Sequence, residues 1–187
     1  MHSFRKIKNI FMKKLLFLLF SFALLWSCKE RDQDSETLPA ATQSGANTGG
    51  ALINGKIWVA KIELPSISGG NNTLYHTSPA LGQYMLDIQL RNVTNTSGDN
   101  IKIFITSNED ITLNTYQLVS DTDNTGIYSN SANYPFYTNA TNTGTVTITK
   151  FDKANQIVSG TFNFKAINSN GEIINITEGR FDKKFQQ

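Results

Sequence analysis

The sequence predicts an all-β fold: a single antiparallel β-sandwich or flattened barrel of about eight to ten strands, preceded by a signal peptide and a flexible tether. Three observations predict it. Apolar residues recur with period two from about residue 51 onward, Asn-Gly pairs stand between the apolar runs, and no segment after Cys28 keeps a helical period of 3.6.

Residues 1 to 27 read as an address. They hold Arg5, Lys6, Lys8, Lys13 and Lys14 and no acidic residue, and the uncharged apolar run of residues 15 to 26 follows. A basic n-region before an apolar h-region is the pattern of a signal peptide. Twelve uncharged residues fall short of the roughly 20 that cross a bilayer core as a helix. The run closes on Leu25-Trp26-Ser27-Cys28, which resembles the lipobox of bacterial lipoproteins. That resemblance implies cleavage before Cys28, a thioether-linked diacylglycerol on its sulfur and acylation of the new amine. Each buried methylene contributes about 0.8 kcal/mol, so two or three chains make a stable anchor where one does not. Met12-Lys13-Lys14 offers an alternative start to Met1.

Cys28 is the single cysteine. Its use by the lipid excludes a disulfide and a thiolate metal site from the exported domain. Removal of residues 1 to 27 takes away five of seventeen basic residues and none of the fifteen acidic ones, leaving twelve against fifteen. The basic balance therefore belongs to the signal, and the mature chain has no electrostatic case for nucleic acid. Residues 28 to 49 are polar or small and show no hydrophobic period, as a flexible lipid-anchored tether would. The stretch Lys29-Glu30-Arg31-Asp32 partly resembles the export signal that sends some Bacteroidetes lipoproteins to the outer leaflet. The expected location is the outer membrane, on its periplasmic face or at the cell surface.

Residues 50 to 187 form the β domain. Tyr84, Leu86, Ile88 and Leu90 share one face of a strand, as do Ile101, Ile103 and Ile105 in the next; Val146 with Ile148, and Phe162, Phe164 and Ala166, repeat the pattern. Asn54-Gly55 and Asn170-Gly171 supply the positive φ values of type I′ hairpin turns, and Ser97-Gly98-Asp99-Asn100 and Asp152-Lys153-Ala154-Asn155 read as longer equivalents. Residues 145 to 185 thus read as a three-stranded meander. Along its last strand Ile174 and Ile176 point one way while Phe181 has the opposite parity; a bulge at Glu178-Gly179 restores Phe181 to the core.

Two stretches resemble a group of Bacteroidetes lipoproteins that carry a domain of unknown function. One runs from Leu38-Pro39-Ala40-Ala41-Thr42 through Ser44-Gly45-Ala46-Asn47 into Asn54-Gly55-Lys56-Ile57-Trp58. The other is Ser159-Gly160-Thr161-Phe162-Asn163-Phe164 with Ile176-Thr177-Glu178-Gly179-Arg180-Phe181-Asp182. The resemblance implies fold and address and carries no activity.

The catalytic inventory is thin, and the expectation is a protein that is not an enzyme and needs no cofactor. His76 is the single histidine after Cys28, and no Gly-x-Ser-x-Gly nucleophile turn exists. Glu172 and Glu178 lie six residues apart, about 20 Å along a strand. A glycosidase pair sits roughly 5 to 9.5 Å apart. Asp121-Thr122-Asp123-Asn124-Thr125-Gly126 resembles half a calcium loop, but Ala132 stands where a bidentate glutamate belongs, so no metal site is expected. The best binding candidates are aromatic. Tyr134, Phe136 and Tyr137 surround Pro135 in a polar region, where rings can stack on a glycan, anchor an envelope protein, or fold back as a cap. Trp58 is expected in the core. The reading is a binding module for glycan or protein, with a structural role in the envelope as the alternative.

Overall fold

The computed structural model describes residues 37–62, 73–93, 98–119, 124–132 and 135–187. The signal, Cys28, Tyr134, Asp121 and Asp123 lie outside them. Among the described residues there are twelve strands and no helix: β1 (Thr48–Ile53), β2 (Lys56–Val59), β3 (Lys61–Ile62), β4 (Thr73–Ser78), β5 (Gln83–Val93), β6 (Gly98–Ser107), β7 (Thr115–Leu118), β8 (Thr125–Ser129), β9 (Phe136–Tyr137), β10 (Gly144–Asp152), β11 (Ile157–Ile167) and β12 (Ile173–Gln186).

The strands pair in the order β2-β1-β12-β4-β5-β6-β8-β9-β11-β10-β7, with β3 beside β5, and a β11–β12 pairing closes the path. The ring β12-β4-β5-β6-β8-β9-β11 is a flattened barrel. Its two corners are short: β12 meets β4 at Phe185↔Thr73 and Gln186↔Leu74, and β9 meets β11 at Ile167↔Tyr137. One face is therefore β2-β1-β12-β11-β10-β7 and the other β4-β5-β6-β8-β9.

The sheet is mixed rather than wholly antiparallel, because β12–β4 and β3–β5 are parallel. For β12–β4 the reason is arithmetic. Directions cannot alternate around a closed ring of seven strands, so with the other six joins antiparallel the seventh must be parallel.

The period-two residues make the core. Leu86, Ile88 and Leu90 of β5 and Ile101, Ile103 and Ile105 of β6 are wholly buried, and Val146, Ile148, Phe162, Phe164, Ala166, Ile174, Ile176 and Phe181 meet them from the other face. The layers touch where side chains are absent: a Cβ on Gly49 would stand 2.5 Å from Leu90 Cδ2, and one on Gly126 3.0 Å from the Phe164 ring.

The C-terminal meander forms as expected, β10 with β11 and β11 with β12. So does the bulge. Glu178 adopts φ 51°, and both neighbours shift register there, Phe162↔Gly179 giving way to Phe164↔Ile176 and Gly50↔Arg180 to Leu52↔Thr177. The parity change leaves Phe181 2 % exposed.

Asn54-Gly55 makes the tight β1–β2 turn, with φ 50° and 79°. At Asn170-Gly171 only Gly171 has positive φ, and the connection is longer than a two-residue turn. Asn168 takes over its organisation: its side-chain oxygen accepts from the amides of Asn170 and Glu172, and its Nδ2 donates to the Glu172 carboxylate. That hydrogen bonding outcompetes the type I′ geometry that sequence spacing suggested.

Of the residues 28 to 49 expected as a flexible tether, 28 to 36 lie outside the described residues, and Thr48 and Gly49 belong to β1. Residues 37 to 47 form a strap across the outer surface of β12 before β1 begins. Polar residues without a hydrophobic period are held here by hydrogen bonds instead of burial, which periodicity cannot reveal.

Candidate functional site

The strap is fixed by one carboxylate. Asp182 points to the outer side of β12, 1 % exposed, and accepts from Thr42 Oγ1 (2.6 Å), the amides of Ser44 (2.9 Å), Gly45 (2.7 Å) and Ala46 (3.1 Å), and Ser159 Oγ (2.8 Å). Burial alone raises a carboxyl pKa, but the donors of Thr42, Ala46, Ser44 and Ser159 outweigh it and hold Asp182 far below the carboxylate range. The strap is tied down further where Lys150 Nζ donates to Gln43 O and the Lys184 amide donates to Asn47 Oδ1.

At the other end of the β11–β12 hairpin the outer surface is uncovered by the strap, and it is apolar. Ile127 of β8 pairs with Tyr137 of β9, Tyr137 with Ile167 of β11, and Ile167 with Ile173 of β12. Each alternates with a buried neighbour, namely Tyr128, Phe136, Ala166 and Ile174, so all four point outward. Tyr137 is 45 % and Ile173 53 % exposed. Paired residues on neighbouring strands stand about 5 Å apart, so the stripe runs about 15 Å across four strands. Its rim is polar: Lys102, paired with Ile127, forms an ion pair with Asp87 at 2.8 Å, and Lys165 and Asn175 share the next outward row.

A second feature is a cleft of 740 Å³ between residues 110 to 113 and the β10–β11 turn, lined by Ile111, Leu113, Phe151 and Lys153 among others. Tyr75 OH donates to Asp110 Oδ1 at 2.7 Å, and Lys153 forms an ion pair with Asp110 while lying 5.0 Å above the Tyr75 ring. Burial and the Asp110 hydrogen bond raise the Tyr75 pKa. For Asp110, burial opposes ionisation, but the Lys153 and Tyr75 contacts prevail and lower its pKa. Behind them Phe151 packs on Tyr75 at 5.1 Å edge-on and on Phe185 at 5.3 Å stacked.

The sequence candidates separate accordingly. Phe136 is buried against Tyr128, with centroids 5.9 Å apart, and closes the core. Tyr137, its neighbour, faces solvent. His76 is exposed on β4, and among the described residues no acid pairs with it in a hydrogen bond. Glu172 serves the Asn168 loop, and Glu178 holds the bulge beside Arg180. Asn124, from the calcium-like run, spends its side-chain oxygen on the Thr106 amide. Trp58 is buried next to Ala51.

Ile127, Ile167 and Ile173 are not legible as site residues in the sequence by alternation alone. Their signal is the apolar doublet: Ile127-Tyr128, Phe136-Tyr137, Ala166-Ile167 and Ile173-Ile174 each put an apolar residue on both faces of a strand that otherwise alternates.

The described residues define an all-β scaffold of the flattened-barrel kind that carries an apolar stripe on its outer face. Within that class, the chain belongs to the family described as a domain of unknown function (DUF6252), whose model matches residues 65–183. The match takes in the stripe, the cleft and Asp182 and begins after the strap. No curated protein and no solved structure matches the chain.

Proposed function

We propose that this chain is a bacterial lipoprotein of the Bacteroidetes type, anchored in the outer membrane through lipid on Cys28, whose β domain is a non-enzymatic binding module for an envelope protein. The carrying observation is the register of Ile127, Tyr137, Ile167 and Ile173 across four adjacent strands. Outward strand positions elsewhere are mostly polar, such as Thr161, Asn163 and Lys165 of β11. A contiguous apolar row with a polar rim has the composition of a protein interface, and tyrosine is among the residues that dominate such contacts. Of the two ligand classes the sequence allowed, the isoleucines favour protein over glycan. Sugar recognition needs hydrogen-bonding groups beside the ring, and aliphatic side chains supply none.

Photo-crosslinking in intact cells tests the surface. A crosslinking residue at Tyr137 or Ile173 is expected to capture one discrete protein partner, and one at His76 none. Absence of adducts at both stripe positions, or glycan binding that survives Ile173→Asp, would overturn the reading. The anchor is tested separately by fatty-acid labelling, with Cys28→Ala as control; an unlabelled wild-type chain would refute it. A structural role in the envelope, the alternative, predicts that the captured partner stays bound in stoichiometric amount throughout growth.

A further inference from the structure

We propose that the end of the barrel closed by Tyr75, Phe151 and Phe185 binds a small apolar monocarboxylate, with Lys183 as its counter-ion. Lys183 follows the bulge on the core-facing side of β12, between Phe181 and Phe185, and is 0 % exposed. Across the sheet it pairs with Val158 of β11, which pairs with Phe151 of β10, so Phe151, Val158 and Lys183 form one inward row. Beyond the corner, Phe185 pairs with Thr73 of β4, whose inward neighbour two residues on is Tyr75. Among the described residues the Lys183 amine has no hydrogen-bond partner, and neither does the Thr73 hydroxyl, itself 1 % exposed.

A buried ammonium can only donate, and leaving its protons unmatched in an apolar setting is costly. Among the described residues, the carboxylates on β12 and at the cleft are engaged elsewhere. Asp182 lies on the opposite face of the sheet under the strap, and Asp110 is held by Tyr75 and Lys153 at the cleft. Two free donors on adjacent strands, one cationic and one neutral, suit the two oxygens of a single carboxylate. The surrounding Phe151, Val158, Phe181 and Phe185 suit a short apolar tail. Phe151, the ring stacked on Phe185, also lines the 740 Å³ cleft, through which the ligand would enter. One cation fits one negative charge, which points away from phosphates.

The test is a calorimetric titration of the full chain in non-ionic detergent with hexanoate, using 1-hexanol as the uncharged comparator. Hexanoate is expected to bind saturably, at least tenfold more weakly to Lys183→Met and more weakly to Thr73→Val, with hexanol indifferent to both changes. Equal binding of hexanoate and hexanol, no binding of either, or hexanoate binding unaffected by Lys183→Met would overturn the proposal. If Lys183→Met fails to fold, the wild-type chain decides alone. Burial lowers the Lys183 pKa to about 8 against the opposing charge of Asp182, and hexanoate is expected to raise the midpoint of this titration about tenfold in proton affinity, followed by carbon NMR at the lysine Cε. An unmoved midpoint would assign the amine to buried water instead.

Discussion

The Asp182 carboxylate accepts a hydrogen bond from the Gly45 amide at 2.7 Å, joining the last strand to a segment 137 residues earlier in the chain. The two stretches that carry the sequence resemblance, one holding Thr42 to Asn47 and the other ending at Asp182, are the two halves of this one device. Asp182→Asn keeps the shape but turns an amide donor toward donors already committed to the carboxylate. The expected cost is about 3 kcal/mol, the range for removing the charge from a buried, hydrogen-bonded carboxylate. Urea unfolding measures it, and the Ser44, Gly45 and Ala46 amides are expected to lose hydrogen-exchange protection first. Unchanged protection would show that the strap docks without the charge.

The same carboxylate sets an acid limit. Its folded pKa lies below its unfolded value, so its contribution is complete above the ordinary carboxylate pKa of about 4 and is lost as pH falls toward the folded value. The strap is therefore expected to stay docked at pH 3, where ordinary carboxylates are largely protonated. Amide exchange of Gly45 at pH 3 and pH 6, corrected for intrinsic rates, checks this; release of the strap by pH 4 would contradict it.

Core and surface diverge at adjacent residues. Phe136→Ala empties a ring site packed on Tyr128 and is expected to cost about 3 to 4 kcal/mol. Tyr137→Ala, on the outward side, is expected to cost well under about 1 kcal/mol. Parallel thermal melts of the two variants read the difference. Comparable losses would mean that Tyr137 is a structural residue, which would remove the centre of the proposed binding stripe.

This pair also shows how far the sequence could be read. Alternation identified which face of each long strand is buried, because one-sided burial imposes a period of two on Leu86, Ile88, Leu90 and the isoleucines of β6. It even located the bulge, since Phe181 had to recover its parity. It could not find the strap, whose hold on Asp182 is made largely by backbone amides that carry no residue signature. Nor could it find the stripe, which depends on how four strands register across the β9–β11 corner. Lys183 was missed for a different reason: it shares the parity of Phe181 and Phe185 once the bulge is placed, but its residue type alone reads as solvent-facing.

Glu178 offers a direct test of that shift. Its φ of 51° is tolerated by an unbranched side chain at modest cost, whereas a β-branched one is strongly disfavoured there. Glu178→Val is expected to destabilise the domain by about 1 to 2 kcal/mol, and Glu178→Gly to stay within about 0.5 kcal/mol of wild type as relief of strain offsets the entropy of glycine. Chemical denaturation of both variants discriminates. Equal stability of the two would mean that the bulge is not held at this residue.

Lys183 makes the sharpest prediction, because its sign runs against expectation for a lysine. Burial lowers its pKa to about 8 while the Asp182 charge, across the sheet, opposes the change. Between pH 8 and the ordinary lysine value near about 10.4 the unfolded chain binds a proton that the folded chain has released. Stability therefore rises with pH through this window. At pH 7 the buried charge costs about 3 kcal/mol, because each tenfold loss of proton affinity on folding is worth about 1.36 kcal/mol. Tyr75 and Tyr128 do not interfere, since burial moves their phenols upward. Wild-type unfolding free energy, measured by urea at a series of pH values from about 7 to 9.5, is expected to climb across the window. Lys183→Met is expected to start higher at neutral pH and stay flat. Parallel curves for the two proteins would place the amine in water at neutral pH and remove the physical basis for an anion at that end of the barrel.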